Sequence, residues 1–194
     1  MNPGYLSYIS MTCFVILMFS GWRDELIGNV NRWMIIIFVG LWFALMPFSW
    51  QMTPNITFHL STTLIVALIL IECWRLHTST SLLQLLLFSL IVTSWHGFML
   101  YSQRWSPIYV IGPVIDIAIG EALLIAGFIK NPLHQITIVS CGVMVGVLLD
   151  QVWSDPLHIQ IGHVTAWDHL FVALFFTRAA ALIVQWSRNK LLHK

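Results

Sequence analysis

The stretch PVIDIAIGEALLIAGFIK, residues 113–130, is apolar almost throughout, yet it contains Asp116 and Glu121. Its hydropathy belongs to a helix in lipid, and the composition of the whole chain agrees. Of 194 residues, 58% are hydrophobic and only 9% are charged, with a mean hydropathy of +0.83. Soluble domains carry about 25% charged residues. A soluble fold of this size has no interior large enough for so much apolar surface, so lipid must be the solvent for most of it. The net charge of +1 and the lack of any Lys/Arg-rich run exclude a nucleic-acid partner. Cys13, Cys73 and Cys141 all lie inside apolar runs with no CxxC pair, which reads as helix packing rather than a disulfide framework.

A helix needs about 20 apolar residues to cross the hydrocarbon. Seven runs meet this, at about 5–21, 33–50, 56–75, 82–101, 107–129, 132–152 and 165–187. The expected fold is therefore all-α: a polytopic transmembrane helix bundle forming a single integral membrane domain over residues 1–194. The first run has no preceding Lys or Arg and no small-x-small cleavage site, so it reads as a retained span, though the shortest one. Asn131 and Pro132 form a helix start, with Asn131 as cap.

Seven crossings put the termini on opposite faces. Arg23, Arg32, Arg75, Lys130, Arg188, Lys190 and Lys194 fall on the C-terminal side, against Arg104 alone on the other. The positive-inside rule then places the N-terminus outside and the C-terminus in the cytoplasm of a cell-membrane protein. Trp22, Trp33, Trp50, Trp74, Trp105, Trp153, Trp167 and Trp186 fall near span edges as an aromatic belt, while Trp42 is mid-span.

Ionisable residues inside a span cost about 2.5–3.5 kcal/mol at the centre and normally face a partner in the bundle. With the fifth span beginning at 107 and the seventh at 165, Glu121 and Arg178 both lie roughly 20 Å deep on parallel helices. That makes them an expected ion pair. Asp116 shares a stripe with Gly112 and Gly120, and the sixth span carries Gly142, Gly146 and Asp150 at the same spacing. One reading packs these two glycine faces together, with Asp116 bonded across the contact. The other starts the helix at Pro113, placing Asp116 in a first turn, where a carboxylate is favoured. TAWD, residues 165–168, reads as a capping box between Thr165 and Asp168. Glu72 and Arg75 read as a surface pair spaced i, i+3.

His96 and His169 lie inside spans near the outer face. With Asp116 they supply imidazole and carboxylate suited to zinc or to a proton relay. No HExxH or HxxxH spacing fixes two ligands on one helix, so no metal or cofactor is expected. The glycine-rich phosphate loop and the GxSxG elbow are also missing.

The opening MNPGYLSY, an apolar run, and then GWRDEL within Met1–Leu26 resemble the YphA-type membrane proteins of spore-forming Firmicutes. The resemblance implies a bacterial plasma-membrane protein of uncharacterised activity, with no site residues to carry over. The leading expectation is a non-enzymatic assembly or interaction protein whose partners are the lipid bilayer and a membrane protein or a second copy of itself. One alternative is a small proton-coupled transporter using Asp116, with Glu121 and Arg178 as a gate. The second is an intramembrane metal-dependent hydrolase built on His96, Asp116 and His169.

Overall fold

The computed structural model describes residues 4–28, 30–76, 79–102, 109–154 and 158–192. Arg104, Trp105, the expected start of the fifth span at 107, and Lys194 lie outside the described residues. The described residues are mostly helical, with one small sheet among them. The helices are α1 (Tyr5–Leu17), α2 (Arg23–Ile27), α3 (Arg32–Leu45), α4 (Thr62–Arg75), α5 (Ser79–Ser102), α6 (Pro113–Ala126), α7 (Pro132–Ser154) and α8 (Val164–Leu192). A wide π-type turn at Met18–Trp22, with Gly21 at φ +105°, joins α1 to α2. Among the described residues, four stretches are long and apolar enough to cross a membrane: Tyr5–Ile27, Ser81–Ser102, Pro132–Ser154 and Val164–Arg188. They fit an integral membrane protein.

Three expected spans are shorter than their hydropathy suggested. The run at 33–50 stops being helical at Leu45, because Pro47 cannot donate to the next helical turn. The chain then turns to strand: Ser49–Thr53 forms β1 and Ile56–His59 forms β2, an antiparallel hairpin turned at Pro54 and Asn55. These residues alternate polar and apolar with period 2, a strand pattern that a window average of hydropathy hides. The run at 56–75 thus begins as a strand, and α4 starts only at Thr62. The run at 107–129 becomes a helix only at Pro113, in the N1 position, and ends at Gly127. Each of these helices has 14 residues, or roughly 21 Å of rise against about 30 Å of hydrocarbon.

The strand β3 (Ile159–Ile161) adds to β2 in parallel, giving the order β1-β2-β3. The sheet gathers the α3–α4 and α7–α8 connections at one end of the bundle. At the opposite end Gly28 packs on Pro132, the Glu72 carboxylate meets His134 Nε2 at 3.3 Å and Arg75 at 3.9 Å, and Arg188 donates to the Gly127 carbonyl. Glu72 is therefore buried between the His134 imidazole and the Arg75 guanidinium rather than sitting on the surface as expected. Asn131 Oδ1 accepts from the Leu133 N–H, the cap that its position predicted.

At the centre, α5 packs between α6 and α7, while α8 packs on α6, α7 and α1. The two glycine faces do not meet each other, as one reading had them. Both serve α5: a Cβ on Gly120 would stand 2.3 Å from the Trp95 ring, and one on Gly142 would stand 2.4 Å from Val92 Cγ1. The reason is complementarity, since α5 presents bulky residues where α6 and α7 are bare. Trp42 lies edge-on to Trp167 and Phe171 at 5.6 and 5.4 Å. Trp167, expected at an interface, is instead 1% exposed and donates to Ser61 Oγ. Trp33, Trp74 and Trp186 are exposed, as belt residues should be.

At the sheet end the rings of His59 and His163 stand 5.7 Å apart, edge to face. Partial burial, and then the charge of His163, lower the His59 pKa below its ordinary 6.5. A base with a lowered folded-state pKa gives full stability above the unfolded value and loses it as pH falls below that value. Amide exchange in β2, corrected for intrinsic rate, should therefore accelerate as pH drops from about 7.5 to about 5. His59→Gln should flatten that dependence.

Candidate functional site

Near the middle of the bundle three ionisable side chains from three helices converge. His96 of α5 and Glu121 of α6 are both fully buried, with His96 Nδ1 2.5 Å from Glu121 Oε1. His169 of α8 lies edge-on to His96, ring centroids 5.1 Å apart. The local sequence makes room for them. Gly146 of α7 leaves the space His96 fills, since a Cβ there would lie 2.8 Å from His96 Cβ. One residue before His96, Trp95 lies over Gly120 and donates to the Ile117 carbonyl at 3.2 Å, fixing α5 against α6.

The expected Glu121–Arg178 pair does not form. Arg178, 3% exposed, donates to Gln135 Oε1 of α7 and to the Glu25 carbonyl near the end of α2. Gln135 in turn donates to the Ile129 carbonyl at 2.5 Å. The depth count went wrong at its origin. With α6 starting at Pro113 and α8 at Val164, Glu121 is roughly 12 Å and Arg178 roughly 21 Å from their helix starts. Counted the same way, His96 lies roughly 9 Å from the end of α5 and His169 roughly 8 Å from the start of α8, close to the level of Glu121.

Asp116 is not part of this centre. Its Oδ2 accepts from the Val110, Ile111 and Gly112 N–H groups at 2.7, 3.1 and 3.3 Å, tying down the segment that leads into α6. This matches the reading that starts the helix at Pro113. Asp168 does not close a capping box with Thr165 either. Its carboxylate crosses to α1, accepting from Gly4 N–H at 2.7 Å and from the Ser7 N–H and hydroxyl at 2.6 Å each. Its place in α8's first turn is taken by His163, whose Nδ1 accepts from Thr165 N–H.

The pair can hold one proton in two places. Either the imidazole N–H donates to the carboxylate, or the carboxyl O–H donates to the imidazole nitrogen. Moving the proton between them leaves the net charge of the pair unchanged. Adding or removing one creates a net charge in a dry interior, which is costly. Three further atoms are shielded from solvent without a hydrogen-bond partner: Glu121 Oε2, His96 Nε2 and His169 Nδ1. Among the described residues no group of three His, Cys, Asp or Glu side chains is arranged to hold a metal ion, so His96, Glu121 and His169 do not form a ligand set as they stand. Of the five residues singled out from sequence, His96, Glu121 and His169 come together, while Asp116 and Arg178 have separate structural partners. The residue that sequence reasoning missed is Gly146. Its i+4 spacing to Gly142 was visible, but not that the neighbour it admits is a histidine.

No family model, curated protein or solved structure matches this chain.

Proposed function

We propose that this is a non-enzymatic, multi-pass protein of the bacterial plasma membrane, of the YphA type, that acts as a small proton-coupled carrier. In this reading the chain crosses seven times, N-terminus outside and C-terminus in the cytoplasm, with the sheet on the outer side. The titrating element is the His96–Glu121 pair with His169 beside it, not Asp116. The observation that carries the reading is the convergence of these three side chains from three helices in a dry core, with polar atoms to spare. Ionisable groups at such depth are costly and mark proton or ion pathways. A carrier needs a group whose loading changes how helices pack, and α5, α6 and α8 meet at this one.

A second reading, the assembly or interaction protein, is favoured by one specific observation: His96 and Glu121 are each 0% exposed. A pair sealed from both faces can serve as a packing lock that never exchanges its proton.

Infrared difference spectra of the protein in bilayers separate the two. If the pair works as a carrier's proton site, a pH jump between about 5 and 8 should change a carboxyl stretching band. The band should vanish in Glu121→Gln and shift in His96→Gln. A carboxyl signal unaltered by Glu121→Gln would overturn the proton reading and leave the lock.

A further inference from the structure

The three-stranded sheet has two unlike faces. Register pairs Trp50 with Phe58 and Phe58 with Ile161, while Ile56 pairs with Ile159. Strand alternation therefore puts Trp50, Ile56, Phe58, Ile159 and Ile161 on one face. The other face carries Ser49 and Gln51, then Thr57 and His59, then Gln160. None of the five apolar residues belongs to the hydrophobic cores of the bundle. Trp50 is 64% exposed, and every residue of β1 is exposed.

We infer that this sheet lies flat in the outer headgroup layer, with its apolar face against the lipid surface. Three observations select lipid as the occupant. First, the helices that lead into and out of the hairpin carry exposed apolar side chains of their own: Leu41 and Phe43 on α3, and Val66 and Leu70 on α4. Second, α3 and α4 are each about 9 Å short of the hydrocarbon thickness by rise, and the hairpin joining them extends both toward the bilayer surface. Third, β1 is an edge strand whose outer N–H and C=O groups have no ladder partner among the described residues. An open edge is not tolerated in hydrocarbon but is solvated among headgroups. The residues from Ser49 to His59 include no Asp, Glu, Lys or Arg, so the face meets the interface without burying a charge. Trp50 is the residue type that anchors there.

The inference rests on the membrane-spanning reading of the bundle and not on its proton chemistry. Nitroxide labels test it, on Trp50→Cys, Gln51→Cys and Leu86→Cys in full-length protein whose native cysteines are replaced by alanine, in phosphatidylcholine–phosphatidylglycerol bilayers. Leu86 is exposed on α5 and serves as the hydrocarbon reference. The expected result is a severalfold higher ratio of oxygen to water-soluble nickel-chelate accessibility at position 50 than at 51, with position 86 higher still. Independently, quenching by lipids brominated near the headgroup should fall in Trp50→Phe relative to the wild-type protein. Equal, nickel-accessible labels at 50 and 51, with 86 protected, would overturn the sheet's docking while keeping the bundle in the membrane. An accessible label at 86 would overturn the membrane reading itself. Low accessibility at both 50 and 51 with a short dipolar distance between copies would assign the sheet edge to a second chain instead.

Discussion

Asp168→Ala should cost about 3 kcal/mol of stability and release the start of α1 from the bundle. One carboxylate accepts from three donors there: the N–H groups of Gly4 and Ser7, and the Ser7 hydroxyl, all within 2.7 Å. Ser7 is fully buried, so its donors have no water to turn to when the carboxylate goes. The negative charge also sits at the positive end of α1's helix dipole. Gly4 explains why the approach is so close. It holds φ +89°, and a Cβ on it would lie 2.2 Å from Val164 Cγ1, so only glycine lets α1 begin against the first residue of α8. Asp168→Asn keeps one acceptor oxygen but turns an N–H₂ toward donors, and should recover about half of the loss. Unfolding of the purified protein in mixed micelles measures the cost, and hydrogen exchange at Ser7–Met11 locates it. A loss spread evenly over α5–α8, with α1 still protected, would contradict this assignment.

The membrane character of this chain was legible from composition, and the long helices α5, α7 and α8 from hydropathy alone. Failures came where a window average blurs two kinds of period. SWQMT and ITFH adjoin strongly apolar helices and are averaged together with them, but their alternation with period 2 and the Pro-Asn turn between them make a hairpin. The site failed for a related reason. Depth in a bundle is counted from a helix start, and a start misplaced by six residues moved Glu121 to the level of Arg178. The chemistry of Pro113 as a first helical residue was already in the sequence and pointed to the correct origin. What no sequence signal carried was which neighbour each glycine admits. Gly120 and Gly146 both look like generic close-packing residues, and only the packing shows that one makes room for Trp95 and the other for His96.

That distinction leads to the second large effect, Gly146→Val. A Cβ at this position would lie 2.8 Å from His96 Cβ and 3.0 Å from its Cδ2, inside any real contact distance. The far end of a flexible side chain would swing aside, but Cβ is tied to the α5 backbone, so α5 must move away from α7 or the His96 ring must turn. Overpacking of this kind costs about 1–3 kcal/mol, and the added valine methyls place the change at the upper end of that range. Either movement changes the contact between His96 Nδ1 and the Glu121 carboxyl, 2.5 Å apart, because Glu121 stands on α6 at the other flank of α5. Gly142→Val is the matched control. It wedges the same helix pair one turn away, against Val92 Cγ1 at 2.4 Å, where no titratable group is involved. Both variants should lower stability in micelle unfolding by similar amounts, but only Gly146→Val should also move the Glu121 carboxyl band and the imidazole nitrogen shifts of His96. If the two variants perturb those signals equally, the glycine acts through general helix separation, and α7 has no separate part in positioning the pair. If only Gly146→Val does, the seam between α5 and α7 sets the proton-sharing geometry, and any motion that slides these helices would change it.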